Sequence, residues 1–318
     1  MNVFDVVIVG GGPAGLNAAV VLGRCRRQVL LFDTGNQRNR RSHGIHNFLT
    51  RDDMLPPDFI ELAKKEAKKY GVSFKNIAVT NAIKMKNGRF SITDEKGNTW
   101  YAKKILLATG LSDRLPPIEG LEELYGSSVF HCPYCDGWEV RDKNIVLYAR
   151  NRNGVELALS LLTWSKSVTY LTDGRFYLKP HETELLKAHN IPVITEPVQK
   201  LQSVKGKLRN ILFKNNRQYT CDAMFFVNGY TQQSKLVEQL GCTMSKQKVV
   251  LTNRLQQANI PGVYVAGDAT KDMHFVVVAA AEGAKAAVNI NKELQKEERK
   301  KVKPVKKSER EVALSYFD

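Results

Sequence analysis

What the chain lacks narrows it first. No apolar run approaches the roughly eighteen residues that a membrane-spanning helix needs. The N-terminus, Met1-Asn2-Val3-Phe4-Asp5, enters a strand-like run without the basic start of a secretory signal. Both absences point to a cytoplasmic protein. Cysteine is scarce: five in 318 residues, an odd number that argues against a fully paired disulfide scaffold. Only Cys132 and Cys135 form a CxxC, while Cys25, Cys221 and Cys242 stand apart. With no second CxxC and no histidine pair at zinc-finger spacing, no metal is expected.

Acidic residues are the other shortage. Lys and Arg number 48 against 32 Asp and Glu, a net charge of +16. Such a surface can serve nucleic acid, but no zinc finger, aromatic RNA-binding motif or basic helix-turn-helix accompanies it. Nor does the excess sit in one tail: residues 292–318 hold nine basic and six acidic side chains, a net +3, which leaves +13 for the rest. Solubility, or steering toward an acidic protein partner, is the better reading. The 43% hydrophobic and 25% charged composition is that of a soluble globular protein, long enough for two domains.

The first strong pattern is at the start. Phe4-Asp5-Val6-Val7-Ile8-Val9 reads as a buried parallel strand, and Gly10-Gly11-Gly12-Pro13-Ala14-Gly15 satisfies G-x-G-x-x-G. A helical run from Leu16 to Leu22 and a strand Gln28–Phe32 ending at Asp33 complete the unit. The glycines alone would be weak evidence; in this order they mark a dinucleotide site. Gly10 allows the tight turn, Gly12 keeps side chains off a pyrophosphate, and Gly15 lets the helix lie close to the sheet. The helix N-terminus faces the phosphates. Asp33 suits a ribose 2′-hydroxyl and would repel a 2′-phosphate, so the site fits the adenosine half of FAD or NAD rather than NADP.

Residues 36–52 form a basic loop with Arg38, Arg40, Arg41, His43, His46 and Asn47; it is either solvated or partly lines the cofactor. Pro56-Pro57 opens an amphipathic helix to Tyr70, and Asn87-Gly88 sits between two alternating runs as a hairpin signal. Ile105 to Leu107 is a short strand leading into Ala108-Thr109-Gly110, and a second strand from Gly262 ends in Gly267-Asp268 before a late helix rich in small residues. Asp268 could hold a ribityl hydroxyl while that helix faces phosphate or a flavin carbonyl. These are the pieces an FAD site needs.

His131-Cys132-Pro133-Tyr134-Cys135-Asp136-Gly137 carries the redox candidate. A CxxC can close into a small disulfide in which one thiol has a depressed pKa; it is also half of a zinc site. An acid directly after the second cysteine could give or take a proton.

Taken in this order, the motifs resemble the low-molecular-weight thioredoxin reductase family, class II pyridine nucleotide-disulfide oxidoreductases. The resemblance implies an α/β protein of two Rossmann-like (three-layer ββα) nucleotide-binding domains, the second inserted in the first. The FAD domain is expected at 1–115 plus 246–295, an NAD(P)-binding domain with the dithiol at 116–245, and a basic tail at 296–318. The resemblance further implies that Cys135 lies beside the flavin, that Cys132 meets the substrate and that Asp136 is the acid/base. By the same resemblance FAD contacts come from Gly10, Gly12, Pro13, Ala14, Gly15 and Asp33, from His46 and Asn47, from Thr109 and Gly110, and from Gly267, Asp268, His274, Phe275 and Val276. NADPH is the expected electron donor, a thioredoxin-like protein or a small disulfide the substrate, and a homodimer the assembly.

The chain departs from that family in three places. The second domain should open with its own glycine fingerprint, but Ala149 and Asn151 occupy the first two glycine positions and only Gly154 is small. A β-carbon at Asn151 would crowd a pyrophosphate; Arg150, Arg152 and a lone Arg175 remain as phosphate contacts. The dithiol loop reads Pro133-Tyr134 where thioredoxin reductases usually carry Ala-Thr, as in a branch that includes flavin dithiol oxidases using O2. His274-Phe275 stands where the family has Arg-Gln. Three alternatives follow: a dithiol oxidase, a ferredoxin-dependent reductase (to which Tyr316-Phe317 of the tail could belong) and a non-catalytic flavin redox sensor.

Overall fold

β1 (Val3–Val9) buries its last four residues completely or nearly so, because it runs down the middle of a sheet covered on both faces. The computed structural model describes residues 3–271 and 273–301. After β1 come α1 (Pro13–Arg24), β2 (Val29–Phe32), α2 (Pro56–Lys69), β3 (Ser73–Lys75), β4 (Val79–Lys84), β5 (Phe90–Asp94) and β6 (Thr99–Leu107). The chain continues through β7 (Leu111–Asp113), α3 (Leu121–Leu124), β8 (Val129–Phe130), α4 (Pro133–Asp136), β9 (Ile145–Ala149), α5 (Asn153–Leu161), β10 (Val168–Leu171), α6 (Pro180–Ala188) and β11 (Val193–Ile194). β12 (Val198–Val204), β13 (Lys207–Phe213), β14 (Gln218–Thr220), β15 (Ala223–Val227), β16 (Tyr230–Gln232), α7 (Leu236–Gln239), β17 (Val263–Val265) and α8 (Val276–Lys301) complete it.

Two α/β units result. The first sheet runs β3-β2-β1-β6-β5-β4, with β17 beside β6. β6 is shared: Thr99–Ala102 pair antiparallel with β5, and Ile105–Leu107 pair parallel with β17. Helices α1 and α8 cover one face, burying Leu16, Ala18, Leu22, Ala286 and Ile290 against Val6, Ile8 and Leu106. The helices touch closely enough that a β-carbon on Gly283 would lie 2.0 Å from the Ala14 carbonyl. The second sheet, β11-β10-β9-β15-β8, is parallel throughout and carries the antiparallel β12-β13-β14 meander beside it. Pairing of β7 with β16 joins the outgoing and returning strands between the units.

Two boundaries differ from expectation. Leu236, Val237, Leu240 and Cys242 belong to the same core as Val7, Val9 and Phe90, so the chain re-enters the first unit well before residue 246. At the other end, helix α8 continues through residue 296 to Lys301. Its last turns are tied down: Lys104 pairs with Glu293 and Glu297, and Arg27 pairs with Glu298. Tyr316 and Phe317 lie outside the described residues. Among the described residues no helix is long and apolar enough to cross a membrane.

Candidate functional site

The ends of β1, β6 and β17 converge on a cavity of about 470 Å³ whose lining also includes His131, Cys135 and Asp136 of the dithiol loop. The strand–glycine–helix segment forms its floor. Gly10 adopts φ +108°, and a β-carbon there would lie 2.1 Å from the Ala108 carbonyl; the turn is open to glycine alone. Gly15 does not reach the cavity: a β-carbon on it would lie 1.9 Å from the Gly10 carbonyl, so it seats α1 against the strand end. Gly12, Pro13 and Ala14 do line the cavity, and nothing stands within 4 Å of a β-carbon built on Gly12.

These residues fit FAD on two observations. α1 begins at Gly12 with no side-chain cap and no acid in its first turn, so its N–H groups and positive dipole end are free for a diphosphate. The Thr109 hydroxyl is buried without a partner in the cavity wall, and a buried hydroxyl left unmatched is costly unless a ligand meets it. Thr109 and Gly110 line the cavity, as do Gly267, Asp268, His274, Phe275 and Val276. Asp33 lines it too, but its carboxylate is already engaged by Lys64 Nζ at 2.9 Å and by the Gly11 N–H at 3.1 Å. Asn47, like Gly15, is an expected contact that is not part of the cavity lining. It sits in a left-handed conformation at φ 61° and donates its amide to the Tyr134 carbonyl at 2.7 Å, so it holds the dithiol loop and does not line the cavity.

A polar chain that the sequence did not reveal runs along the cavity wall. Arg38 donates through Nε to Asp113 Oδ2 at 2.8 Å and through Nη1 to Asp268 Oδ2 at 2.9 Å. Nη1 also lies 3.0 Å from His274 Nδ1. A guanidinium only donates, so Nδ1 is the acceptor in this contact. Tyr125 donates its hydroxyl to Asp113 at 2.7 Å, and His131 Nδ1 lies 3.1 Å from the same hydroxyl. The phenol proton is committed to the carboxylate, so His131 donates from Nδ1 and keeps Nε2 as an acceptor. Burial pulls the His131 pKa down to about 4, against the attraction of Asp113, which leaves the ring neutral near pH 7. Burial pushes the Asp113 carboxyl upward, but the bonds and charge of Arg38, with His131 and Tyr125, outweigh it and hold it below the usual range. Arg38 was legible only as one of several basic loop residues.

Pro133 opens the one-turn helix α4 and brings Cys132 and Cys135 together as a disulfide with 5.3 Å between Cα atoms. Gly137 ends it where a β-carbon would meet the Pro133 carbonyl at 2.4 Å and the Trp164 ring at 2.7 Å. The two cysteines face differently: Cys135 and Asp136 line the cavity, and Cys132 does not. Burial raises the Asp136 pKa to about 7; the nearby Glu139 adds to the rise and His46, itself on the cavity wall, opposes it. A carboxyl tuned to that range can both give and take a proton at neutral pH. Tyr134 stands out into solvent, 63% exposed, with its ring edge-on to Trp164.

The expected nucleotide contacts of the second unit are arranged differently. Arg150 pairs with buried Asp173. Asn151 accepts from the Asn153 N–H at 3.0 Å through its own side chain. Gly154 is required because a β-carbon would strike the Tyr170 hydroxyl at 2.4 Å. Arg175 is exposed. The charge of Arg150 is thus met by Asp173, while Arg175 faces solvent.

The fold and the dithiol beside a dinucleotide cradle define a class, and comparison agrees: residues 4–283 match the family described as pyridine nucleotide-disulphide oxidoreductase, to which the chain belongs. Within it the chain is of the low-molecular-weight thioredoxin reductase type. It is 31% identical to a probable thioredoxin reductase of Arthroderma benhamiae, over 92% of this chain and 81% of that protein. Among solved structures it resembles a putative thioredoxin reductase of Bacillus anthracis, with 34% identity, a TM-score of 0.89, and 93% and 99% of the two chains covered. It also resembles the structure of HlmI, with 31% identity, a TM-score of 0.90, and 99% and 98% covered. The family is FAD- and NAD(P)H-dependent, and the chain is an oxidoreductase of that family.

Proposed function

We propose that the protein is an FAD-dependent thiol–disulfide oxidoreductase that works through Cys132 and Cys135, on a thioredoxin-like protein or a small disulfide. The observation that carries this reading is the split orientation of the pair, with Cys135 and Asp136 on the cavity wall and Cys132 off it. Gly12, Thr109, Asp268 and the start of α1 would hold FAD, which supplies a two-electron store beside Cys135. NADPH is the family's expected source of those electrons.

In the reductive direction the reduced Cys132, as thiolate, attacks one sulfur of the substrate disulfide. A mixed disulfide forms, and the first substrate thiolate leaves and takes up a proton. Cys135, deprotonated with Asp136 as acceptor, attacks Cys132 Sγ; the second substrate thiolate leaves and the Cys132–Cys135 disulfide is restored. Two electrons pass to the substrate. In the reverse direction the same groups oxidise a dithiol. His131, neutral and next to Cys132, adds no positive charge of its own beside the pair, and Asn47 holds the loop through the Tyr134 carbonyl.

The test is anaerobic reduction of the FAD-loaded protein with dithiothreitol, followed at the flavin absorption band. Bleaching that is lost in Cys135→Ser and in Cys132→Ser supports the reading. A flavin that dithiothreitol never bleaches ends it. A homodimer is the expected assembly, and light scattering on the purified chain decides that point.

A further inference from the structure

The molecule holds two strand–loop–helix nucleotide units, and its own first unit shows what an open one looks like. At α1 the N-cap is Gly12, a β-carbon there would meet nothing, and the first turn carries no acid. The corresponding loop between β9 and α5 differs at three points. Arg150, one residue past β9, reaches across to Asp173, two residues past β10. In a Rossmann unit the acid after the second strand is the one that meets the adenosine ribose. Here it is turned inward: Asp173 is 5% exposed, Oδ2 takes Arg150 and the Tyr148 hydroxyl at 2.9 Å, and Oδ1 takes the Val198 N–H at 2.7 Å.

The phosphate end is closed by the same loop. Asn151 Oδ1 accepts from the N–H of Asn153, the first residue of α5, at 3.0 Å, and the Asn151 carbonyl takes the Tyr170 hydroxyl at 3.1 Å. That N–H is one that a helix start would otherwise offer to a diphosphate. Glu156 adds negative charge to the first turn of α5, which further disfavours an anion there.

We propose that Arg150 and Asn151 occupy the nucleotide seat of the second unit, so that a pyridine nucleotide binds only by displacing them. Arg150 is thereby a residue that sets the affinity for the electron donor. This deepens the reading above and rests on it.

The test is calorimetric titration of the FAD-loaded protein with NADPH and with NADH, for wild type and for Arg150→Ser/Asn151→Gly. The double variant is expected to bind nucleotide at least about tenfold more tightly, a shift of about 1.4 kcal/mol. Low-micromolar binding by wild type, or a folded double variant no tighter than wild type, overturns the proposal. The wild-type titration stands even where the double variant fails to fold. Dithiothreitol bleaching in the same preparation judges the dithiol separately: its absence sinks the oxidoreductase reading, and the nucleotide titration still answers for Arg150.

Discussion

Arg38, on the wall of the cofactor cavity, and Asp113, just behind it, form a buried pair, with side chains only 13% and 6% exposed. Arg38 belongs to the loop after β2 and Asp113 ends β7, so the pair ties the first unit's loop to the connector through which the chain enters the second. Through Tyr125 it reaches His131, next to the dithiol, and on its other side it reaches Asp268 and His274.

Removing Arg38 leaves two carboxylates without their cation in a poorly hydrated wall. Arg38→Met is expected to lower stability by about 3–5 kcal/mol, the usual cost of breaking a buried pair from one side. Urea unfolding of the cofactor-stripped protein measures it. A loss below about 1 kcal/mol, the range of surface pairs, would mean that the pair is solvated in solution.

Asp136 makes stability and turnover depend on pH. Its folded pKa is raised to about 7 from an ordinary 3.8, so the folded state holds the proton more tightly than the unfolded one. Its favourable contribution is present below about pH 4 and is lost as pH rises through about 7, at up to about 1.4 kcal/mol per pH unit. Asp136→Asn is therefore expected to match wild type near pH 4 and to be more stable at pH 8. Its thiol–disulfide exchange rate should fall by about 10²–10⁴ and lose the inflection near pH 7. A pH profile of dithiothreitol-driven exchange, unchanged by the substitution, would remove Asp136 from the chemistry.

Two glycines of one fingerprint are expected to fail in different ways. Gly10→Ala puts a β-carbon against the Ala108 carbonyl in a left-handed conformation, so the fold itself suffers and soluble yield drops. Gly12→Val points into open space in the protein alone. It should melt like the cofactor-stripped wild type yet retain no flavin after purification. The flavin-to-protein absorbance ratio, read beside a thermal melt, separates the two.

The cysteines are expected to divide their labour. In Cys135→Ser, Cys132 remains free to attack an aromatic disulfide reagent and stalls as a stable mixed disulfide, because the resolving thiol is missing. In Cys132→Ser the remaining thiol faces the cavity and reacts more slowly. Mass spectrometry of the trapped adducts compares them; equal trapping by both variants would contradict the inward and outward assignment.

Much of this was legible in the chain because the signals are local. Gly10 to Gly15 between a buried strand and a helix needs no distant partner to be read, and neither does a CxxC followed by an acid. The chain's re-entry into the first unit was not legible: Leu236 and Val237 look like any apolar pair until their packing against Val7 and Phe90 is seen. Asn47 looked like a cofactor contact, but its amide is taken by Tyr134, a contact between residues far apart in the chain.

By itself, the order of residues determined two nucleotide-type units, a dithiol and the family to which they belong, since periodicity, glycine spacing and motif order are properties of sequence. Only the tertiary structure decided that Asn47 holds the Tyr134 carbonyl, that Arg38 links Asp113 to Asp268, and that Arg150 spends its charge on Asp173. Those outcomes depend on burial and on hydrogen-bond partners brought together from separate segments, and neither exists before the chain has folded.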